Sequence, residues 1–244
     1  MLTINLDKLD LKPGDRVLDL GCGEGRHSIG TLYSHPEVKI IAIDLSFKDL
    51  TVAKNRHSDF DNTSSKNCLY TQADGCQLPF LDNSFDHIIC SEVLEHIPHY
   101  RHMLKEIERL LKPGGLFSVS VPRYWPEKIC WALSTEYHQV EGGHIRIFNS
   151  RSLKNEVLQG RFTYQSKHWA HALHVPYWWL RCAFWSRGDK FFLVKIYHQL
   201  LVWDLMKRPA LTRTIELLLN PILGKSIVMY FEKQMGDEQK GQQT

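Results

Sequence analysis

The stretch VLDLGCGEGRHS, from Val17 to Ser28, constrains the fold of this chain more than any other. Residues of strand type run into Gly21, Gly23 and Gly25, and a polar, helix-compatible stretch follows. A strand that ends in a glycine turn and opens a helix brings bare backbone close to a ligand, as in nucleotide cradles. A dinucleotide fold wants G-x-G-x-x-G, so that the helix N-terminus meets the pyrophosphate. Here the spacing is G-x-G-x-G, and Arg26 stands where the last glycine of that pattern would be. The turn predicts a ligand of this general class without naming it.

Downstream, apolar runs bounded by turn signals alternate with segments of helical period, the pattern of a parallel sheet with crossover helices. Strands are expected at Arg16–Leu20, Lys39–Asp44, Cys68–Ala73, His87–Cys90 with its neighbours, and GLFSVSVP. Before GLFSVSVP, YRHMLKEIERLL aligns Tyr100, Met103, Leu104, Ile107, Leu110 and Leu111 on one helical face. Lys112-Pro113-Gly114-Gly115 should end that helix, because proline cannot extend it and glycine accepts a left-handed turn. The stretch PRYWPEKICWALSTEYHQVEGG reads as irregular and aromatic-rich. A helix from about Ser150 to Leu158, a strand in RFTYQSKHW and a last strand at Lys225–Lys233 follow. Ala170–Gly224 reads as a mostly helical insertion. The expected layout is a core of residues 1–169 plus 225–233, a helical cap of 170–224, and a disordered polar tail of 234–244.

At 244 residues the chain can bury a sizeable core, and its 43% apolar and 23% charged content is ordinary for a soluble protein. Six scattered cysteines without a CxxC pair argue against a disulfide framework or zinc site and for a reducing compartment. The N-terminal stretch has no signal-peptide pattern and no apolar run is long enough to span a bilayer, so a cytoplasmic location is expected. The net charge of +3 hides an asymmetry: residues 1–160 carry 18 Lys/Arg against 21 Asp/Glu, residues 161–230 carry 10 against 3. Either the C-terminal third has a solvated basic surface or it meets an anionic partner.

Asp44 ends the second strand and can accept from both hydroxyls of a ribose. Asp19 sits two residues before Gly21, within reach of the turn amides or, through water, of an ammonium group. Asp74, in ADGCQLPF, is placed to accept from an exocyclic adenine amine. With VLDLGCGEG, IIAIDLS, ADGCQLPFLDNSFDHIICSEVLEHI and RLLKPGG in order over about residues 12–122, the chain resembles the class I S-adenosylmethionine-dependent methyltransferases. It is most similar to their type 11 group, which includes ubiquinone- and menaquinone-biosynthesis enzymes. The resemblance implies a Rossmann-like, doubly wound α/β sheet with an antiparallel last strand and a helical cap inserted before it. It implies that Gly21, Cys22 and Gly23 line the methionine end of S-adenosylmethionine, with Asp19 orienting the turn. Asp44 and Leu45 would hold the ribose, Asp74, Gly75 and Cys76 the adenine, and Ser91 would face the sulfonium. A cation also suits a site flanked by carboxylates, and Asp19, Glu24, Glu92 and Glu95 fall at strand ends.

Methyl transfer is a displacement at carbon, so alignment supplies most of the rate. A hydroxyl acceptor also needs a base, and His144 and His138 lie in the segment that covers the acceptor in this family. His144, behind Gly142 and Gly143, would edge a mobile rim of the pocket. The histidines lack metal spacing and the family chemistry needs none, so no metal is expected. VPYWWLRCAFW and FFLVKIYHQLLVWDLM make a hydrophobic cap, which implies a small hydrophobic acceptor such as a quinone, isoprenoid or lipid. The cap either roofs the site alone or also dips into an anionic membrane surface. Its aromatics keep company with aliphatics rather than with exposed cations, against nucleic acid. A nicotinamide-dependent oxidoreductase and a non-catalytic S-adenosylmethionine-binding module remain the rival readings.

Overall fold

The computed structural model describes residues 2–60, 67–140 and 142–235, leaving aside the side chains of Phe60 and Asp189. Its centre is a seven-stranded sheet: β1 (Arg16–Leu20), β2 (Lys39–Asp44), β3 (Cys68–Gln72), β4 (Phe85–Ser91), β5 (Leu111–Pro122), β6 (Phe162–Ala170) and β7 (Ser226–Lys233). The spatial order is β3-β2-β1-β4-β5-β7-β6. β1 to β5 pair in parallel, and β7 inserts antiparallel between β5 and β6. The chain winds outward from β1 through β2 to β3, then returns to the other side of β1 for β4 and β5. A crevice therefore opens beyond the C-terminal ends of β1 and β4, where open α/β sheets bind ligands.

Nine α-helices are described: α1 (Arg26–Ser34), α2 (Phe47–Phe60), α3 (Tyr100–Leu110), α4 (Tyr124–Leu133), α5 (Glu136–Gln139), α6 (Ser150–Val157), α7 (His174–Ala183), α8 (Phe192–Lys207) and α9 (Ala210–Leu223). Successive strand side chains point to opposite faces, which separates the core into two layers. Leu18, Leu20, Ile88, Met229 and Phe231 join Met103, Ile107 and Leu110 of α3 and Leu153 of α6 on one face. Val17, Ile40, Ile89, Val228 and Tyr230 join Leu32 of α1, Leu50 of α2 and the N-terminal Ile4, Leu6 and Leu9 on the other. Each such side chain contributes about 1.5–3 kcal/mol by burial, so both faces are firmly covered.

Three segments differ from the sequence expectation. Leu111 is already extended after α3, and Lys112–Gly115 lies within β5 beside a register shift opposite Phe85 and His87. The helix ends at Leu110, before the KPGG run, and that run turns the chain inside the entry of β5, with Gly114 left-handed at φ +76° as expected of a glycine there. PRYWPEKICWAL, read as irregular, forms α4; Pro126 falls in its first turn, where a missing N–H costs no helical bond. Of the expected disordered tail, Gln234 donates to Arg161 O at 2.8 Å and extends the β7 edge, while residues 236–244 lie outside the described ones.

Candidate active site

The turn after β1 is held from both sides. Gly21, with φ +73°, and Cys22 donate their N–H groups to Ile43 O at 2.8 and 2.9 Å. Gly23 N donates to Asp44 Oδ2 at 2.7 Å, and Ser46 N to Asp44 Oδ1 at 2.8 Å. A Cβ on Gly21 would meet Val93 Cγ2 at 2.4 Å, so the turn backbone presses against the segment that leaves β4. A Cβ on Gly23 would meet nothing within 4 Å. The backbone is thus open toward the crevice at Gly23, yet the amides of Gly21, Cys22 and Gly23 are all engaged within the protein. Three amides so engaged make no anion nest of the kind that holds a pyrophosphate.

The acidic residues sort into two kinds. Asp19 is buried and takes the Ser28 hydroxyl at 2.5 Å; burial, opposed by that bond and Arg26, pushes its carboxyl up to about 6. It anchors α1 on β1, which corrects the expectation that it reaches the turn amides. Glu24 stays half exposed, in an ion pair with Arg56 at 2.5 Å. Asp44 and Asp74 stand at the crevice. Asp74 lies two residues past β3, exposed, with Oδ1 accepting from Cys76 N at 2.9 Å. Leu45 is exposed beside Asp44, its carbonyl accepting from Gln72 Nε2 at 2.7 Å. Gly75 instead faces the core, since its Cβ would meet Met103 and Leu20 at 2.7 and 2.8 Å. Cys22 is buried, which pushes its thiol up and keeps it a neutral wall.

At the end of β4, the Ser91 and Ser120 hydroxyls lie 2.9 Å apart, and Ser120 also donates to Glu92 Oε1 at 2.8 Å. The Ser91 hydroxyl is thus engaged with β5 rather than left open to the crevice. Glu92 has φ +58°, a left-handed conformation rare outside glycine, with its N–H held by Ser120 O at 3.0 Å. Such strain persists where the surroundings over-determine it, commonly at functional sites. The next turn buries Glu95 completely, with neither carboxylate oxygen hydrogen-bonded. Burial, with Glu92 nearby, raises its carboxyl well above the ordinary range.

A second wall comes from the segment after β5. His144 Nδ1 lies 2.5 Å from Glu127 Oε1 of α4. Glu127 is buried; desolvation opposes its charge, but the His144 bond and the positive field of His144 and Lys225 hold its carboxyl below the usual range. Trp131 Nε1 at 3.1 Å and Tyr137 OH at 3.3 Å donate to the same carboxylate. Across from it, the His96 ring meets the His144 ring edge-on, centroids 4.9 Å apart. Gly143 O lies 3.2 Å from His96 Nδ1, and Ile145 N donates to Glu95 O at 3.1 Å. The rim expected to be mobile is therefore tied to the end of β4. His138 stands one step away, stacked on Trp131 at 4.1 Å. Of the two predicted histidines, only His144 joins a carboxylate. Glu127 and Tyr137 went unnoticed in the sequence, where the pairing of Glu127 and His144 at a separation of 17 leaves no periodic signal.

The Tyr137 ring meets the His144 ring edge-on at 5.8 Å and packs in turn on Trp178 and Trp185, in a cluster with Cys130, Cys182, Trp131 and Trp179. The fold also gathers potential cation ligands that sequence spacing did not disclose. Glu95, His96 and His144 bring donor atoms within 4.8 Å of one another, as do His171, His174 and Glu216. The expectation of no metal, drawn from spacing, does not cover ligands assembled from different elements.

The sequence comparisons cover less than half of the chain, the structural one nearly all of it. Residues 18–119 match the family model described as a methyltransferase domain. Demethylmenaquinone methyltransferase from Bacillus cereus (strain ATCC 10987 / NRS 248) is 33% identical over 108 residues, 44% of this chain and 44% of that protein. The 27-O-demethylrifamycin SV methyltransferase of Amycolatopsis mediterranei (strain S699) is 35% identical over 109 residues, 44% of this chain and 38% of that protein. The chain thus spans less than half the length of these relatives. Among solved structures, the YcgJ protein from Bacillus superposes with a TM-score of 0.63 at 20% identity, covering 95% of this chain and 97% of that one, and shares the fold.

Proposed function

We propose, on the premise that residues 18–119 form a methyltransferase domain, that this protein transfers a methyl group from S-adenosylmethionine to a small hydrophobic acceptor. The observation that carries the reading is the chemistry of the glycine turn. The amides of Gly21, Cys22 and Gly23 donate their single protons within the protein, whereas the carboxylates of Asp44 and Asp74, although they accept from nearby backbone N–H groups, keep further lone pairs for a donor. Such a cradle suits a ligand with hydroxyls, amines and positive charge, and suits a pyrophosphate poorly. S-adenosylmethionine supplies an electrophilic methyl group on a sulfonium when bound. Asp44 would hold its ribose hydroxyls, Asp74 the adenine amine, and the open backbone at Gly23 its amino-acid end.

The protein's part in the reaction is then alignment and proton removal. His144 is the proposed base for a hydroxyl acceptor: Glu127 fixes its Nδ1 side, which leaves Nε2 to take the proton. Tyr137 beside this pair, with Trp178 and Trp185 packed on it, supports an aromatic or isoprenoid acceptor. We read 170–224 as a cap over that surface. The six cysteines, all free thiols, support a reducing, cytoplasmic setting. Among the described residues no helix is long and apolar enough to cross a membrane.

Titration calorimetry with S-adenosylmethionine, S-adenosylhomocysteine and NADH tests the cofactor assignment. The first two should bind and NADH should not. Asp44→Ala should weaken binding about 10–100-fold, the worth of hydrogen bonds to a charged acceptor, with an unchanged circular dichroism spectrum. Binding of NADH alone, or wild-type affinity in the variant, would overturn the assignment.

A further inference from the structure

The helices α8 and α9 carry a surface that the methyl-transfer reading does not use. A helix that is apolar all round is normally buried. Yet Phe192, Ile196, Val202, Trp203, Leu205 and Met206 of α8 are 45–75% exposed, with Val194 and Leu201 its buried apolar contacts. On α9, no residue is fully buried. Leu211, Ile215, Leu218 and Ile222, at helical spacing, form an outward stripe, and Leu217 lies beside it at 72% exposure.

This is not a loose element. Ala172 N donates to Asn220 Oδ1 at 3.0 Å, Arg123 Nη1 donates to Ile222 O at 3.0 Å, and a Cβ on Gly224 would meet Trp169 Cβ at 2.7 Å. The stripe is held outward by its own polar anchors. Around it stand exposed Arg187, Lys190, Lys195, Lys207, Arg208 and Arg213. Among the described side chains of residues 184–224 the acids are Asp204, which is buried, and Glu216, which is half-buried. Among the described side chains of this segment, the exposed charge is therefore of one sign.

We propose that α8 and α9 dock this protein on the surface of an anionic lipid bilayer, with the apolar side chains at acyl depth and the six cations at the phosphate headgroups. At 16 and 14 residues, the helices are about 24 and 21 Å long, short of a ~30 Å hydrocarbon core, so they lie in the interface. A second copy of the chain is a poor occupant, because a two-fold contact would bring this cationic face against itself. Phe184 and Phe191, stacked at 3.9 Å, with Arg187 over Phe191 at 5.6 Å, set a cation beside apolar rings, as a headgroup–acyl boundary requires. The docking rests on this surface alone; that it delivers a membrane-dissolved acceptor to His144 rests on the methyltransferase reading.

Vesicle flotation of the full chain tests it, with phosphatidylcholine vesicles and with equal parts phosphatidylcholine and phosphatidylglycerol. The protein should float with the mixed vesicles, less with the neutral ones, and less in high salt. Lys195→Glu/Arg213→Glu should weaken binding to the mixed vesicles by about 25-fold or more, since each cation near the surface is worth about fivefold. Leu217→Glu/Leu218→Glu, both exposed, should abolish flotation while S-adenosylhomocysteine binding, the control for folding, stays intact. Failure to float with either vesicle overturns the proposal. Elution as a dimer that Leu217→Glu/Leu218→Glu dissolves would assign the face to a second copy instead. Flotation without S-adenosylhomocysteine binding would keep the docking and sink the methyltransferase reading.

Discussion

His144 and Glu127 show how much a single contact decides. A lone histidine in a loop is more often a capping or surface group than a base. Its 2.5 Å approach to a buried carboxylate, itself held by Trp131 and Tyr137, fixes the orientation of the ring. His144→Ala should lower kcat for a hydroxyl acceptor by about 10²–10⁴-fold, the usual worth of a positioned base, with S-adenosylmethionine affinity unchanged. Glu127→Gln should lose less, because a glutamine can still accept from the ring while the charge is gone. Single-turnover rates beside binding isotherms distinguish this from a structural role, in which both parameters would fall together. Unchanged turnover in His144→Ala would remove it from the chemistry and point to an acceptor that needs no base.

The turn between β1 and α1 links both core layers to the crevice, and its geometry leaves little freedom. Gly21 has φ +73°, and an added Cβ would fall 2.4 Å from Val93 Cγ2. Gly21→Ala should therefore destabilise the protein by roughly 1–3 kcal/mol, from backbone strain and the displaced Val93. Urea unfolding measures this directly. Relief by a second substitution, Val93→Ala, would show that the clash dominates; no relief would assign the cost to the left-handed backbone. The same turn marks how far local pattern carries. The bounds of β1 and β2 and the start of α3 were legible, because strand alternation and helical period are properties of neighbouring residues. The segment that became α4 was not, because its prolines and aromatics read as punctuation until Pro126 is seen in the first helical turn.

The protein as one folded body should be acid-sensitive, for reasons spread across both sides of the sheet. Burial holds His27 down to about 3 and His174 down to about 4, so both stay neutral in the fold. His87, His96, His168 and His171 are lowered as well, first by burial. Below the ordinary histidine pKa, about 6.5, the unfolded chain binds protons that the native state refuses, so stability falls as pH falls. Asp19, pushed up to about 6, works the other way, because the native state keeps a proton that the unfolded chain has released. Glu95 and Glu216 act with it, but the histidines outnumber these acids. Unfolding free energy from urea titrations should therefore be higher at pH 7 than at pH 5. His27→Gln should reduce that difference by about 2 kcal/mol, since glutamine can still accept from Thr3 N and Ile4 N as His27 Nε2 does at 3.2 and 3.3 Å. Equal stability at both pH values would contradict the argument.

From sequence alone one could determine the α/β class, most strand positions, the glycine turn and the place of Asp44 and Asp74 beside it. All of these depend on side chains a few residues apart, whose periodicity and turn chemistry survive without a third dimension. Tertiary structure alone decided the rest. It buried Asp19 against Ser28 and paired the half-exposed Glu24 with Arg56. It joined Glu127 to His144 and packed Gly75 into the core. It also left α8 and α9 with exposed apolar side chains, where the sequence had left open a roof over the site alone or one that also meets a membrane surface. Contacts between distant residues and the solvent exposure of an apolar helix are set by what packs against each surface, and that is written in no single segment of the chain.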